Sequence, residues 1–165
     1  MIIRSETGTA AENAALARLV TRAFATAPVA SGTEAEVLAR LRESDVLSLS
    51  LVAEEAGQLI GQIAASPATI GGAGGWACLG PLAVAPEAQG QGVGSVLMRA
   101  ALDRLAAHGA AGAVLVGEPA YYGRFGFVAD PAVVLAGVPA RYVLVKPLAG
   151  PAPAGALVCA PALMP

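Results

Sequence analysis

The sequence has few of the residues on which most chemistry-bearing motifs depend. It holds one histidine, His108, and two cysteines, Cys78 and Cys159, and no lysine precedes Lys146. The cysteines, one in an apolar run and the other near the C-terminus, form no metal-spaced cluster and suggest no disulfide framework in a chain of this size, so both read as spectators. A Walker A loop requires Gly-Lys-Ser/Thr, so the missing lysine excludes a P-loop nucleoside triphosphatase. A formal net charge of -2 provides no basic footprint for nucleic acid, although it leaves room for a local patch around a phosphate-bearing ligand. Long apolar runs are absent too. The 56% hydrophobic content is inflated by alanine, and no stretch supplies the roughly 18 strongly apolar residues of a bilayer span. The C-terminal "GPAPAGALVCAPALMP" is uncharged but broken by proline, so it cannot cross a membrane as a helix. The N-terminal "MIIRSETGTA" lacks a basic region followed by an apolar one. A soluble, cytoplasmic protein without a membrane partner is expected.

What is present orders itself as a mixed α/β chain without internal repeats. At 165 residues one domain and a single core are expected, residues 1–148, with 149–165 as a Pro/Ala-rich tail. "MIIRSE" suits a first strand, and Ala15, Leu16, Leu19, Val20 and Ala23 recur at helical spacing up to Phe24. After a break at Pro28 to Gly32, Thr33 is a candidate N-cap for "TEAEVLARLR", with acids in its first turn and Arg40 and Arg42 in its last. The period then changes to three strand-like runs, "LSLSLVAEE", "LIGQIAASPATI" and "WACLGPLAV", separated by Gly57 and the Gly71 to Gly75 cluster and read as an antiparallel meander. Val93, Val96, Leu97, Ala100, Ala101 and Leu105 return to helical spacing, and Gly109 stops that helix. "AGAVLV" is a buried strand, Pro119 opens a short helix in "EPAYYGRF", and "RYVLVK" is a late strand.

Between the third run of the meander and the next helix stands "VAPEAQGQGVGSVLM". A strand feeding a glycine turn at a helix start aims unpaired N–H groups at one point, where the helix dipole adds about half a positive charge. Glycines at 90, 92 and 94 remove the Cβ atoms that would hold a phosphate away and permit positive φ. The same glycines would serve an ordinary surface turn. A dinucleotide fingerprint does not fit: Ser95 stands where the third glycine is required, and the strands before the turn form no βαβ unit.

The pattern that matches is Q-x-x-G-x-G, Gln89 to Gly94, after "LAVAP" and before Tyr-x-x-x-Gly-Phe at Tyr122, Gly126 and Phe127. On these motifs the chain resembles the GNAT superfamily of N-acetyltransferases, and "GEPAYYGRFGF" with "LVAE" at Leu51 to Glu54 resembles its YhbS-like branch. The resemblance implies a GNAT-like fold, a largely antiparallel central sheet with one parallel, splayed pair of strands, flanked by helices. It implies acetyl-CoA as cosubstrate and no metal. The pyrophosphate would lie on Gln89, Gly90, Gln91, Gly92, Val93, Gly94 and Ser95, and pantetheine would pair with Leu82, Ala83 and Val84, which places the thioester between that strand and "AVLVG". The Leu82 amide would polarise the thioester carbonyl.

The acceptor sets the chemistry. An amine of pKa about 10.4 is neutral in only about one part in a few thousand at pH 7, a handicap of roughly 4.6 kcal/mol, so a proton must be removed before attack. Glu118, just past "AVLV", is the candidate base through a water, and is equally a charge favoured by the neighbouring helix dipole. Glu54 and Glu55 are weaker candidates, and His108 suits a helix C-terminus. Tyr122, in the family position, would protonate the leaving thiolate; Tyr121, Phe125 and Phe127 are its aromatic company, and a purely packing role for Tyr122 stays open. Phe24 to Arg42 and Asp130 to Arg141 would flank the acceptor, a small-molecule or protein amine, and a homodimer is left open. The competing reading is a noncatalytic acyl-CoA binding or sensing domain.

Overall fold

The computed structural model describes residues 1–25 and 33–163, so the break expected at Pro28 to Gly32 lies outside the described residues. Elements follow the expected order: β1 (Ile2–Ser5), α1 (Ala10–Phe24), α2 (Glu34–Glu43), β2 (Leu49–Glu55), β3 (Gln58–Ile70), β4 (Ala73–Val84), α3 (Val93–Ala107), β5 (Gly112–Val116), α4 (Pro119–Tyr122), β6 (Val128–Ala129), β7 (Val133–Val134), β8 (Val143–Pro147) and β9 (Gly155–Val158). Contacts gather into two compact units, one made of Met1–Ala65 and Gly80–Ala101, the other of Ser66–Leu79 and Leu102–Pro165.

In the first unit β1, β2 and β3 pair antiparallel, with Ile3 opposite Ala53 and Leu51 opposite Ile63. The start of α1 is fixed by Thr9, whose hydroxyl accepts from the Glu12 N–H at 3.2 Å, an N-cap interaction. Glu12 in turn takes the Arg4 guanidinium at 2.6 Å and the Thr7 N–H and hydroxyl. Burial pushes the Glu12 carboxyl up, but Arg4 and Thr7 together outweigh it and hold it at about 2. Val20 and Ala23 of α1 and Leu38 of α2 are buried with Ala64 and Ala83. The apolar spacing of both helices therefore faces this sheet. Gly61 on β3 admits α3: a Cβ there would stand 2.8 Å from Leu97 Cδ1 and 3.0 Å from Val93 Cγ1.

In the second unit β4 and β5 run parallel through three pairs, Trp76, Ala77 and Cys78 with Gly112, Ala113 and Val114. Among the described residues the parallel ladder goes no further. Antiparallel β8 pairs with β5 and with β6. The segment from residue 149, set apart by its composition, contributes β9, which pairs antiparallel with β3 and parallel with β7. Trp76, Cys78, Val114, Val143, Val145, Leu157 and Cys159 are buried in one cluster. Both thiols are free and share this buried cluster. Gly112 is required beneath Trp76, whose Cη2 lies 2.6 Å from a Cβ built there. No helix among the described residues is long and apolar enough to cross a membrane.

Candidate active site

The glycine turn lies in the first unit. From Gly80 to Val84 β4 is half-buried apart from the buried Ala83, and Pro86–Ala88 forms a turn of 3-10 helix. Gln89 to Gly92 are exposed, and Gly90 and Gly92 adopt φ of 76° and 85°. A Cβ built on either meets nothing within 4 Å. The turn is thus left-handed and open, the state that glycine alone enters without strain. The ladder of α3 begins with the Val96 N–H on the Gly92 carbonyl, 3.0 Å, so the N–H groups of Val93, Gly94 and Ser95 precede any intrahelical acceptor. Partial positive charge gathers there. The glutamines of the turn fold back on it: Gln89 Nε2 donates to the Val84 carbonyl at 3.1 Å and Gln91 Nε2 to the Glu87 carbonyl at 3.2 Å. Glu87 also binds Arg22 of α1 at 2.6 Å.

Tyr122 and Glu118 lie in the second unit. Glu118 is exposed and N-caps α4 without a side-chain bond, its carbonyl accepting from the Tyr121 and Tyr122 N–H groups at 3.1 and 3.0 Å. The helix expected over "EPAYYGRF" is one turn, continued by 3-10 geometry at Gly123–Phe125 and ended by Gly126 at φ 89°. Tyr122 packs edge-on to Tyr121, 4.8 Å between centroids, and to Phe127, 6.3 Å. Burial, with a smaller contribution from Tyr121, pushes the Tyr122 phenol up to about 12.

The weaker candidates have other employment. Glu54 faces Arg4 at 3.4 Å, and Glu55 lies 4.0 Å from the terminal amine. His108 is exposed in the turn that follows α3. Leu82 to Val84 end β4, Gln89 to Gly92 form the turn and Val93 to Ser95 open α3, whereas Glu118 caps the short α4 and Tyr122 ends it. Sequence reasoning missed two supporting glycines. Gly61, isolated in a strand pattern, carried the usual mark of close approach. Gly117 carried no such mark.

The chain matches the Acetyltransferase (GNAT) family over residues 14–127, and it belongs to that family. Its fold aligns with a GNAT family acetyltransferase from Brucella melitensis in complex with acetyl-CoA at a TM-score of 0.85 and 38% identity, over 98% of this chain and 96% of the other. The Escherichia coli N-acetyltransferase YhbS in complex with CoA aligns at a TM-score of 0.83 and 33% identity, over 94% of this chain and 87% of the other. By sequence, the uncharacterized N-acetyltransferase YhbS of Escherichia coli K12 is 42% identical over 99 residues, 59% of this chain and 59% of that protein. The chain thus spans under two thirds of the length of this curated relative.

Proposed function

We propose that the protein is an acetyl-CoA-dependent N-acetyltransferase that moves the acetyl group to a primary amine by direct attack within a ternary complex. The observation carrying this reading is the open, left-handed turn at Gly90 and Gly92 ahead of α3, in a chain whose fold relatives are described in complex with acetyl-CoA and CoA. The turn fits a pyrophosphate: amides supply donors, the dipole supplies charge, and no side chain blocks approach. Gln89 to Ser95 hold the diphosphate through their backbone, and Leu82 to Val84 take the pantetheine arm as a strand takes a neighbour.

In the reaction the neutral amine attacks the thioester carbon, the C–S bond breaks, and an amide and the CoA thiol leave. The Leu82 N–H stabilises the oxyanion, Tyr122 donates to the sulfur as charge gathers on it, and Glu118 takes the amine proton through water. Thiol release from acetyl-CoA, measured across aminoglycoside, polyamine, amino-acid and peptide amines, tests the assignment. Amine-dependent release is expected. Tight coenzyme binding with no release across the panel would replace the enzyme by an acyl-CoA sensor.

A further inference from the structure

We propose that Gly117 is a positioning residue for the transfer step: by lacking a side chain it seats the Tyr122 ring against the end of β5 and sets where the phenol oxygen points. The inference rests on the role proposed for Tyr122. Gly117 directly follows β5, and its N–H donates to the Tyr142 carbonyl at 3.0 Å, which fixes the backbone beneath the ring. A Cβ built on Gly117 overlaps Tyr122 Cε2 and lies 2.8 Å from Cδ2, with Leu115 Cδ1 next at 3.3 Å. The backbone itself makes no demand for glycine, because Gly117 is not among the residues at positive φ. The ring is the demand. Among the described residues its aromatic neighbours are the edge-on Tyr121 and the buried Phe127, so a methyl group on Gly117 must displace the ring from this seat. The hydroxyl, at the far end of the ring, then moves furthest, and a displacement of about 1 Å is enough to cost a positioned group much of its effect. Gly123, six residues on, meets nothing within 4 Å of a built Cβ and takes helical φ.

The test is a double-mutant cycle on kcat, using acetyl-CoA and the most active amine of the panel. Gly117→Ala is expected to lower kcat about tenfold with the KM for acetyl-CoA within about twofold of wild type, and Gly123→Ala to change neither. Tyr122→Phe is expected to lower kcat at least as far. Adding Gly117→Ala to Tyr122→Phe should cost nothing more, since no hydroxyl remains to be misplaced. A Gly117→Ala penalty of equal size in both backgrounds, or none in the wild-type background, overturns the positioning role and leaves that of Tyr122 standing. Wild-type kcat in Tyr122→Phe removes the role of Tyr122, and this inference with it. The seat is also read without any acceptor: the Tyr122 ring resonance, assigned by its loss in Tyr122→Phe, should shift in Gly117→Ala and stay in place in Gly123→Ala, and an unmoved resonance in Gly117→Ala overturns the proposal. Should Gly117→Ala fail to fold, Tyr122→Ala in the same chain is expected to restore folding by removing the ring. Persistent unfolding of that double variant overturns the clash.

Discussion

Gly92→Ala separates the coenzyme site from ordinary turn structure, because the chain supplies its own matched control. Gly92 and Gly109 hold nearly the same backbone, φ 85° and 80°, and a Cβ on either meets no atom within 4 Å. The folding penalty of the substitution is therefore the left-handed backbone alone, about 1 kcal/mol at each site. For a domain of this size that lowers Tm by roughly 2 to 4 °C. The two variants differ only in place: Gly92 sits in the turn before α3, and Gly109 follows that helix. If a diphosphate rests on the turn, a methyl group at Gly92 displaces it from at least one N–H donor, and a hydrogen bond to a charged group is worth about 1.5 to 3 kcal/mol. The Kd for acetyl-CoA should then rise by about 10- to 100-fold in Gly92→Ala and stay within about twofold of wild type in Gly109→Ala. Calorimetric titration of both, with thermal melts alongside, gives the answer. Equal melting losses with equal affinities would refute the reasoning and return the turn to a structural role.

Tyr122→Phe should lower kcat by roughly 10- to 100-fold with little change in acetyl-CoA affinity, the value of a hydrogen bond to a developing charge, while Tyr121→Phe should stay within about threefold of wild type by steady-state kinetics. If backbone amides and a helix dipole take the place of a cation at the proposed phosphate site, coenzyme affinity measured with and without a chelator should agree; a clear dependence on magnesium would count against the turn as that site. The Glu12 carboxyl, held at about 2 against 4.5 in the unfolded chain, stabilises the fold above pH 4.5, and its contribution of at most about 3 kcal/mol fades as pH falls from 4.5 towards 2. Urea unfolding across that window should show a steeper loss in wild type than in Glu12→Gln, and parallel curves would mean that the contacts of Glu12 with Arg4 and Thr7 add nothing.

The order of elements was legible because period and punctuation agreed. Leu16, Leu19, Val20 and Ala23, picked out by spacing, are buried in α1, and Thr33 and Gly109 stand where α2 and α3 change to loop. In α3 the reading blurred. Val96 was assigned to the apolar face and is 40% exposed, whereas Met98 and Leu102 are buried; an alanine-rich helix offers little contrast between its faces. Gly74 and Gly75 read as turn residues but extend β4, since strand pairing outweighs their weak propensity. Cys78 and Cys159 share one buried cluster though far apart in sequence, and spacing carries no record of it. The glycine turn was readable because its backbone geometry is local. Gly117 escaped notice because its partner, the ring of Tyr122, arrives through the fold.

The raised pKa of Tyr122 narrows what that residue can do for the proposed reaction. A thiol of pKa about 8.5 yields a thiolate far less basic than a tyrosinate whose phenol titrates near 12, so complete transfer of the phenol proton to sulfur would run uphill by roughly 5 kcal/mol. Full proton donation, the simplest expectation for an ordinary tyrosine, therefore gives way to a hydrogen bond that strengthens as the C–S bond breaks. The proton that ends on sulfur has a better source in the ammonium formed when the amine attacks, which must lose a proton for the amide to form; the water and proposed base Glu118 that receive it can pass it on to the thiolate. Burial raises the pKa of the phenol to about 12 and so keeps it in its donating form around neutral pH. A group that never titrates in the working range leaves no limb of its own in the pH profile. The rise of kcat/KM with pH then reports the acceptor amine and whichever base relieves it of its proton, and the contribution of Tyr122 lies in the height of that profile.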